Sequence, residues 1–137
     1  MGLYLCVLAD DEDIAGVEVG PYSDYNFFRS YVIKELEGGK PGGRFPTLIL
    51  HSDCDGDWNV AECEKLAAEL DAIAEELKRR PPAGFSSDWQ LAVAKSIGLE
   101  PRSAFESFID VDGELLIERM RGLVGVALKR QLPILFQ

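Results

Sequence analysis

One short stretch carries the residues best suited to chemistry. An apolar run, residues 48–50, stops at His51, the only histidine of the chain, and carboxylates follow at Asp53, Asp55 and Asp57. Imidazole and carboxylate groups do general acid–base work, and clustered carboxylates bind divalent cations. Polar groups placed where a strand gives way to a helix are a common way for α/β proteins to present a site.

The stretch can be read as an EF-hand calcium loop in two registers, and each fails at one position. Read from His51, it supplies Asp53, Asp55 and Glu62, but imidazole is a poor first ligand for a hard cation. Read from Asp53, it places Trp58 where the loop needs glycine. A protein without cofactors is therefore expected. A weak metal site of His51, Asp53, Asp55 and Glu62, for calcium or another divalent cation, stays open as the alternative.

Turn and cap chemistry explains the same residues without a ligand. The order acid, any residue, acid, Gly, acid, apolar occurs at residues 53–58, the first acidic turn, and at residues 110–115, the second acidic turn. Asp-Gly is common in turns, and Asn59 with Glu62 three residues later is a capping-box pair. For the second acidic turn, the structural alternative is that Asp112 caps the last helix.

The charge of the chain limits its partners. Its 137 residues carry a formal net charge of −10, which argues against binding nucleic-acid backbones or anionic membranes. The acids also come in blocks, and those that precede the first basic residue, Arg29, are Asp10, Asp11, Glu12, Asp13, Glu18 and Asp24. Such blocks on one face would form an anionic surface for a basic protein.

The cysteines and the hydropathy pattern predict a cytoplasmic protein. Cys6, Cys54 and Cys63 are an odd number without C-x-x-C spacing, so a disulfide scaffold is not expected. The apolar start is too short for a signal peptide and lacks a basic region. No stretch approaches the about 20 apolar residues that span a bilayer.

Four strands are predicted from short apolar or alternating runs. They are residues 3–8, 17–19, 47–50 and 133–137, and the third is expected to be the central buried strand. Because the last run is apolar, it is expected to insert into the sheet. Removing it would then expose the core.

Four helices are predicted from spacing and caps. They are residues 25–36 with Ser23 as cap, a long helix from near Val60 to Lys78, residues 88–97 after Ser87, and a last helix from Leu116. Together with the strands they predict one domain, residues 1–137, of the α/β class with α+β as the alternative. The expected sheet is mixed, with about four strands packed by about four helices.

Five segments of the chain resemble a known family. They are Gly2-Leu3-Tyr4-Leu5-Cys6-Val7, Gly16-Val17-Glu18-Val19-Gly20, Leu50-His51-Ser52-Asp53-Cys54-Asp55-Gly56, Phe108-Ile109-Asp110-Val111-Asp112-Gly113-Glu114 and Pro133-Ile134-Leu135-Phe136-Gln137. They are similar to segments of the immunity protein 70 family of bacterial polymorphic toxin systems. The resemblance implies a small cytoplasmic protein that binds and neutralises a cognate toxin domain, and it implies no catalytic residues.

The leading hypothesis is therefore a toxin-neutralising protein that binds a basic toxin through an acidic surface, rather than an enzyme. The expected contact residues come from the two acidic turns: Asp53, Asp55, Asp57, Trp58, Asp110, Asp112 and Glu114. Two alternatives stay open. One is a divalent-cation-binding protein or metal-dependent hydrolase that uses residues 51–62, and the other is a structural or assembly protein.

Overall fold

The computed structural model describes residues 2–137 and shows a four-stranded antiparallel sheet that shares one hydrophobic core with helices. The strands are β1 (Gly2–Ala9), β2 (Glu12–Pro21), β3 (Asp57–Trp58) and β4 (Ile134–Phe136). The helices are α1 (Tyr22–Leu36), α2 (Pro46–Ile49), α3 (Val60–Lys78), α4 (Asp88–Ile97) and α5 (Leu116–Arg130), and a 3₁₀ turn spans Ala104–Ser107.

The structure confirms the predicted α/β class, but its sheet is not of the expected mixed type. Its strand order is β2-β1-β4-β3, and all three pairings are antiparallel, whereas a mixed sheet was expected. Strands β1 and β2 form a hairpin, and β4 enters between β1 and β3. The predicted insertion of the last strand is therefore confirmed, and β4 joins the two ends of the chain.

The predicted central strand at residues 47–50 is wrong. Thr47, Leu48 and Ile49 lie in α2, a single helical turn whose first residue is Pro46, and Leu50 is its C-cap. The Glu69 carboxylate of α3 accepts hydrogen bonds from the backbone N–H groups of Thr47 (3.1 Å) and Leu48 (3.0 Å). A short apolar run has the same pattern in a buried strand and in a buried turn, so periodicity could not separate the two. The carboxylate that accepts these two N–H groups belongs to α3, which is distant in the sequence, so a local pattern does not reveal it.

Most helix boundaries follow their local signals. The capping-box prediction is confirmed for α3, where the Asn59 side chain accepts from the Glu62 N–H (2.8 Å) and Glu62 accepts from the Asn59 N–H (3.0 Å). Ser87 caps α4 as expected, and Gly98, in the left-handed conformation, is its C-cap. Ser23 does not cap α1, which begins one residue earlier, at Tyr22. Over residues 2–137 no helix combines the length and the apolar character that crossing a membrane requires.

One continuous hydrophobic core lies between the sheet and the helices. Strand residues Leu3, Leu5 and Val7 of β1 enter it from the sheet, and α3 and α5 pack against each other behind them. On the helix side, the apolar spacing of α3 predicted from the sequence is confirmed, because Leu66, Leu70, Ile73 and Leu77 are all buried. The core thus fixes which face of each strand is covered.

Candidate functional site

The first acidic turn is anchored to α1 by a chain of hydrogen bonds. The Arg29 guanidinium donates to the carbonyl oxygens of His51 (2.7 Å) and Ile49 (3.2 Å) and to Asn26 Oδ1 (2.6 Å). The Asn26 amide in turn donates to Asp53 Oδ2 (2.8 Å). This hydrogen bond lowers the pKa of Asp53 from its ordinary value, so the carboxylate stays ionised. Asp53, which is half-buried, is therefore held in place by α1.

His51 has a structural role in this turn. Its Nδ1 lies 2.8 Å from the Ser52 carbonyl oxygen and its Nε2 lies 2.8 Å from the Asp57 carbonyl oxygen. Its ring stacks on Phe136 of β4, with centroids 4.2 Å apart, and lies 5.2 Å from the Trp58 ring. Because both ring nitrogens face backbone carbonyls, neither is directed at a metal or a substrate.

Trp58 and its two neighbouring carboxylates have opposite environments. Asp55 and Asp57 are exposed and project from the turn. Trp58 is only 1% exposed, donates from Nε1 to the Thr47 carbonyl oxygen (2.9 Å), and packs edge-on against Phe136. The expectation that Trp58 contacts a partner is therefore corrected: its side chain is part of the core.

The proposed metal ligands are not brought together. Asp53 binds Asn26, Glu62 binds the Asn59 N–H, and the His51 nitrogens face carbonyl oxygens, which leaves only Asp55 directed at solvent. Across residues 2–137 no three His, Cys, Asp or Glu side chains form a cluster that could hold a metal ion. The oxygens of this stretch thus stabilise the turn and the start of α3.

The second acidic turn is built around a buried carboxylate. Asp110 is 0% exposed, and its Oδ1 accepts from the N–H groups of Asp112 (2.9 Å) and Glu114 (3.0 Å). Arg119 Nε lies 3.3 Å from its Oδ2. Burial raises the pKa of Asp110, and the N–H donors oppose that rise. Asp110 is therefore corrected from a contact residue to the residue that shapes the turn.

The exposed carboxylates of the second acidic turn are Asp112 and Glu114. Asp112 does not cap α5, because the cap position is occupied by Leu115 and no side chain caps that helix. Strand β2 holds the turn instead, through a hydrogen bond from the Val111 N–H to the Glu18 carbonyl oxygen (3.1 Å). Asp112 and Glu114 thus stay accessible to a partner.

The two acidic turns lie at opposite edges of the sheet. The first leads into β3, one edge strand, and the second is bound to β2, the other edge strand. Three strand spacings separate these edges, a distance of roughly 15 Å. The turns therefore do not form one contiguous acidic patch, and a partner that contacts both must extend across the sheet.

Two buried carboxylates outside the acidic turns, Glu37 and Asp24, have structural roles. Glu37 is buried and accepts from the N–H groups of Gly42 (3.1 Å), Arg44 (3.0 Å) and Phe45 (2.9 Å), which closes the loop of residues 38–44 that follows α1. Asp24, also buried, accepts hydrogen bonds from Ser86 and Trp89 and ties α4 to α1. No cap or turn motif in the sequence marks Glu37 or Asp24, because only the folded chain brings their hydrogen-bond partners to them.

Tyr4 and Asp13 form a pair that the sequence also did not reveal. The Tyr4 hydroxyl donates to Asp13 Oδ2 (2.5 Å), and this hydrogen bond is the main reason that the pKa of Tyr4 rises from 10 to about 12. Asp13→Ala is expected to bring the pKa of Tyr4 back towards 10, because acceptor and negative charge are both lost. Ultraviolet difference titration measures it, and Tyr4→Phe identifies the Tyr4 signal.

The same pair predicts a pH effect on stability. The folded state holds the Tyr4 proton more tightly than the unfolded chain, so its contribution is full below pH 10 and is lost as the pH rises to about 12. Asp13→Ala should remove this part of the alkaline destabilisation in urea titrations. An unchanged Tyr4 titration in Asp13→Ala would show that the carboxylate does not control the hydroxyl.

Comparison with known proteins identifies a family for the chain. The sequence model of the family described as immunity protein 70 matches residues 3–136, nearly the whole chain. No curated protein and no solved structure matches the chain at a significant level. The family match therefore includes both acidic turns and, apart from Gly2 of β1, all four strands.

Proposed function

The chain belongs to the immunity protein 70 family, and on this basis we propose that it neutralises a cognate toxin domain by binding it through an acidic surface. The match over residues 3–136 is the observation that carries the proposal. The proposed partner is a basic protein, and neither nucleic acid nor a membrane is expected to bind. The proposed location is the cytoplasm, where a toxin that reaches its own producer would act.

Charge supports a basic partner. The net charge of −10 and the exposed carboxylates Asp55, Asp57, Asp112 and Glu114 give a negative potential around both acidic turns. Complementary charge raises association rates between proteins, and a fast inhibitor protects a cell from a toxin that acts quickly. The argument requires only that the toxin domain is basic.

Binding rather than catalysis is the proposed mode of action. Immunity proteins are generally not enzymes. In this chain the polar atoms of His51, Asp53 and Glu62 are engaged by the turn and the α3 cap, which supports a protein that acts without a cofactor. The toxin would then be blocked because a protein covers its surface.

The direct test uses a cognate toxin domain, to be sought among the genes that neighbour the gene of this chain. Co-expression is expected to restore growth of cells that produce the toxin, and the two proteins should co-purify as a stoichiometric complex. Full toxicity in the presence of the folded chain, together with no complex in titration calorimetry, would contradict the proposal. A toxin domain from an unrelated system serves as the specificity control.

The contribution of the first acidic turn can be measured separately. The double variant Asp55→Lys/Asp57→Lys should slow association with the toxin domain by about tenfold at low salt, because two exposed attractive charges become repulsive. The effect should shrink as added salt screens the charges. Stopped-flow or surface-binding kinetics over a salt series measures both.

The matched control is Glu75→Lys/Glu100→Lys. Both positions are exposed and lie outside the acidic turns, and the change in net charge is the same. Equal slowing in the two double variants would mean that only total charge matters. The first acidic turn would then have no specific part in the contact.

A further inference from the structure

The two faces of the sheet are packed differently. Alternate strand residues point to opposite faces, and Leu3, Leu5 and Val7 enter the core with Phe136. The residues between them in β1 point the other way, and Leu8, half-exposed, lies outside the core. The helices that share a core with the strands pack on the side of Leu3, Leu5 and Val7. The opposite side of the sheet, which we call the open sheet face, is not covered by these helices.

Strand register brings apolar side chains together on the open sheet face. Cys6 lies opposite Gly16 on one side and Leu135 on the other, and Tyr4 lies opposite Glu18. A Cβ atom built on Gly16 would lie 2.0 Å from the Tyr4 hydroxyl oxygen, so the Tyr4 ring lies across this glycine on the same face.

The centre of the face is apolar and accessible. Cys6 is 1% exposed although it is outside the hydrophobic core, which means that neighbouring side chains of the face shield it. Tyr4, Leu8 and Leu135 are themselves half-exposed. Ile14 is 36% exposed. It is the extra residue of β2 at an irregularity, because Val7 pairs with Ala15 whereas Leu8 pairs with Asp13. Water therefore contacts an apolar surface that a partner could cover.

Carboxylates surround this apolar centre. Asp13 lies opposite Leu8, Glu18 opposite Tyr4 and Asp57 opposite Leu135, and the exposed Asp10 and Asp11 form the tip of the hairpin. The four strands contain no lysine or arginine.

One cation that contacts β2 is already engaged by other groups. Arg119 of α5 donates to the Gly16 carbonyl oxygen (3.1 Å) and pairs with the buried Asp110. It therefore does not neutralise the carboxylates Asp13, Glu18 and Asp57 around the face.

We propose that the open sheet face is the docking surface for the toxin domain, and that the toxin presents an apolar patch ringed by lysines and arginines. An apolar centre inside a charged rim is the usual anatomy of a protein–protein interface. Asp57 belongs to this face and to the first acidic turn, so the turn extends the same surface. This inference rests on the proposed function, since it names the surface on which that binding takes place.

The test compares opposite charges at one position. Leu8→Lys should weaken binding of the cognate toxin domain by at least about tenfold, and Leu8→Glu should weaken it much less, because the proposed partner is basic. Ile14→Lys and Ile14→Glu repeat the comparison at a residue whose side chain is outside the core. This second pair keeps the test decisive if a Leu8 variant fails to fold.

Leu91→Lys and Leu91→Glu are the matched controls. Leu91 is 40% exposed on α4, outside the sheet, so both variants should bind the toxin as the wild type does. Thermal unfolding of every variant confirms that it is folded before its affinity is measured. Binding is measured by calorimetry on the full chain.

Four results would overturn the docking surface. If the wild type binds and neutralises the toxin and the Leu8 and Ile14 variants do so equally well, the surface is wrong and the proposed function stands. Equal losses from lysine and glutamate would contradict a basic partner rim. If the wild type is a dimer, and Ile14→Lys makes it monomeric without changing its affinity for the toxin, the open sheet face is a contact between two copies of this chain. If the wild type binds no toxin, the proposed function fails, and this surface fails with it.

Discussion

Deletion of residues 132–137 is expected to leave a chain that does not fold cooperatively. The deletion removes β4, which pairs with both β1 and β3, and it removes the buried side chains of Ile134 and Phe136. Losing two such side chains costs roughly 5–10 kcal/mol by analogy with large-to-alanine substitutions, which is comparable to the whole stability of a typical domain. Circular dichroism and urea unfolding of the truncated chain measure the effect.

Leu135→Thr is the control for this deletion. It keeps the strand and changes only a half-exposed side chain outside the core, so the variant should stay folded with a small loss of stability. A soluble truncated chain with a cooperative unfolding transition would show that β4 is dispensable. The sheet order found here would then not be the one that stabilises the protein.

Trp58→Ala is expected to lower the free energy of unfolding by about 3–5 kcal/mol. The indole is buried, its ring centroid lies 4.6 Å from that of Phe136, and its N–H donates to the Thr47 carbonyl oxygen. The substitution leaves a cavity where β3, β4 and α2 meet and removes the donor for that carbonyl. Urea unfolding followed by circular dichroism measures the loss.

Trp58→Phe separates packing from contact with a partner. The aromatic ring is kept and the hydrogen bond to Thr47 is lost, so the loss of stability should be about 1–2 kcal/mol. Because the side chain is inaccessible, the folded Trp58→Phe variant should bind the toxin with wild-type affinity. A selective loss of toxin binding at unchanged stability would restore Trp58 to the contact surface.

The carboxylates of this protein fall into two groups with different roles. Asp24, Glu37, Glu69 and Asp110 accept hydrogen bonds from N–H and O–H groups of loops and helix ends, which gives them structural roles. The exposed carboxylates of the acidic turns and of the open sheet face remain for electrostatic attraction. Counting acids along the chain cannot separate these groups, because a carboxylate looks the same in either role.

The sequence by itself determined the elements whose signals are local. The capping pairs at Asn59 and Ser87, the apolar spacing of α3 and the strand runs of β1 and β4 each depend on residues a few positions apart. The resemblance to the immunity protein 70 family was likewise confirmed over residues 3–136. Such elements can be predicted because turns, helix caps and apolar periodicity depend on residues that are close together in the sequence.

Only the tertiary structure decided which residues of the acidic turns a partner can reach. Asp53 is held by Asn26 of α1, the turn around Asp110 is bound to Glu18 of β2, and Trp58 is covered by Phe136 from the end of the chain. These contacts join residues far apart in sequence, so no local pattern announces them. The stretch from His51 to Trp58, which has the residue types of an active site, is therefore a hydrogen-bonded turn. Its accessible part is the pair of carboxylates Asp55 and Asp57 beside the open sheet face.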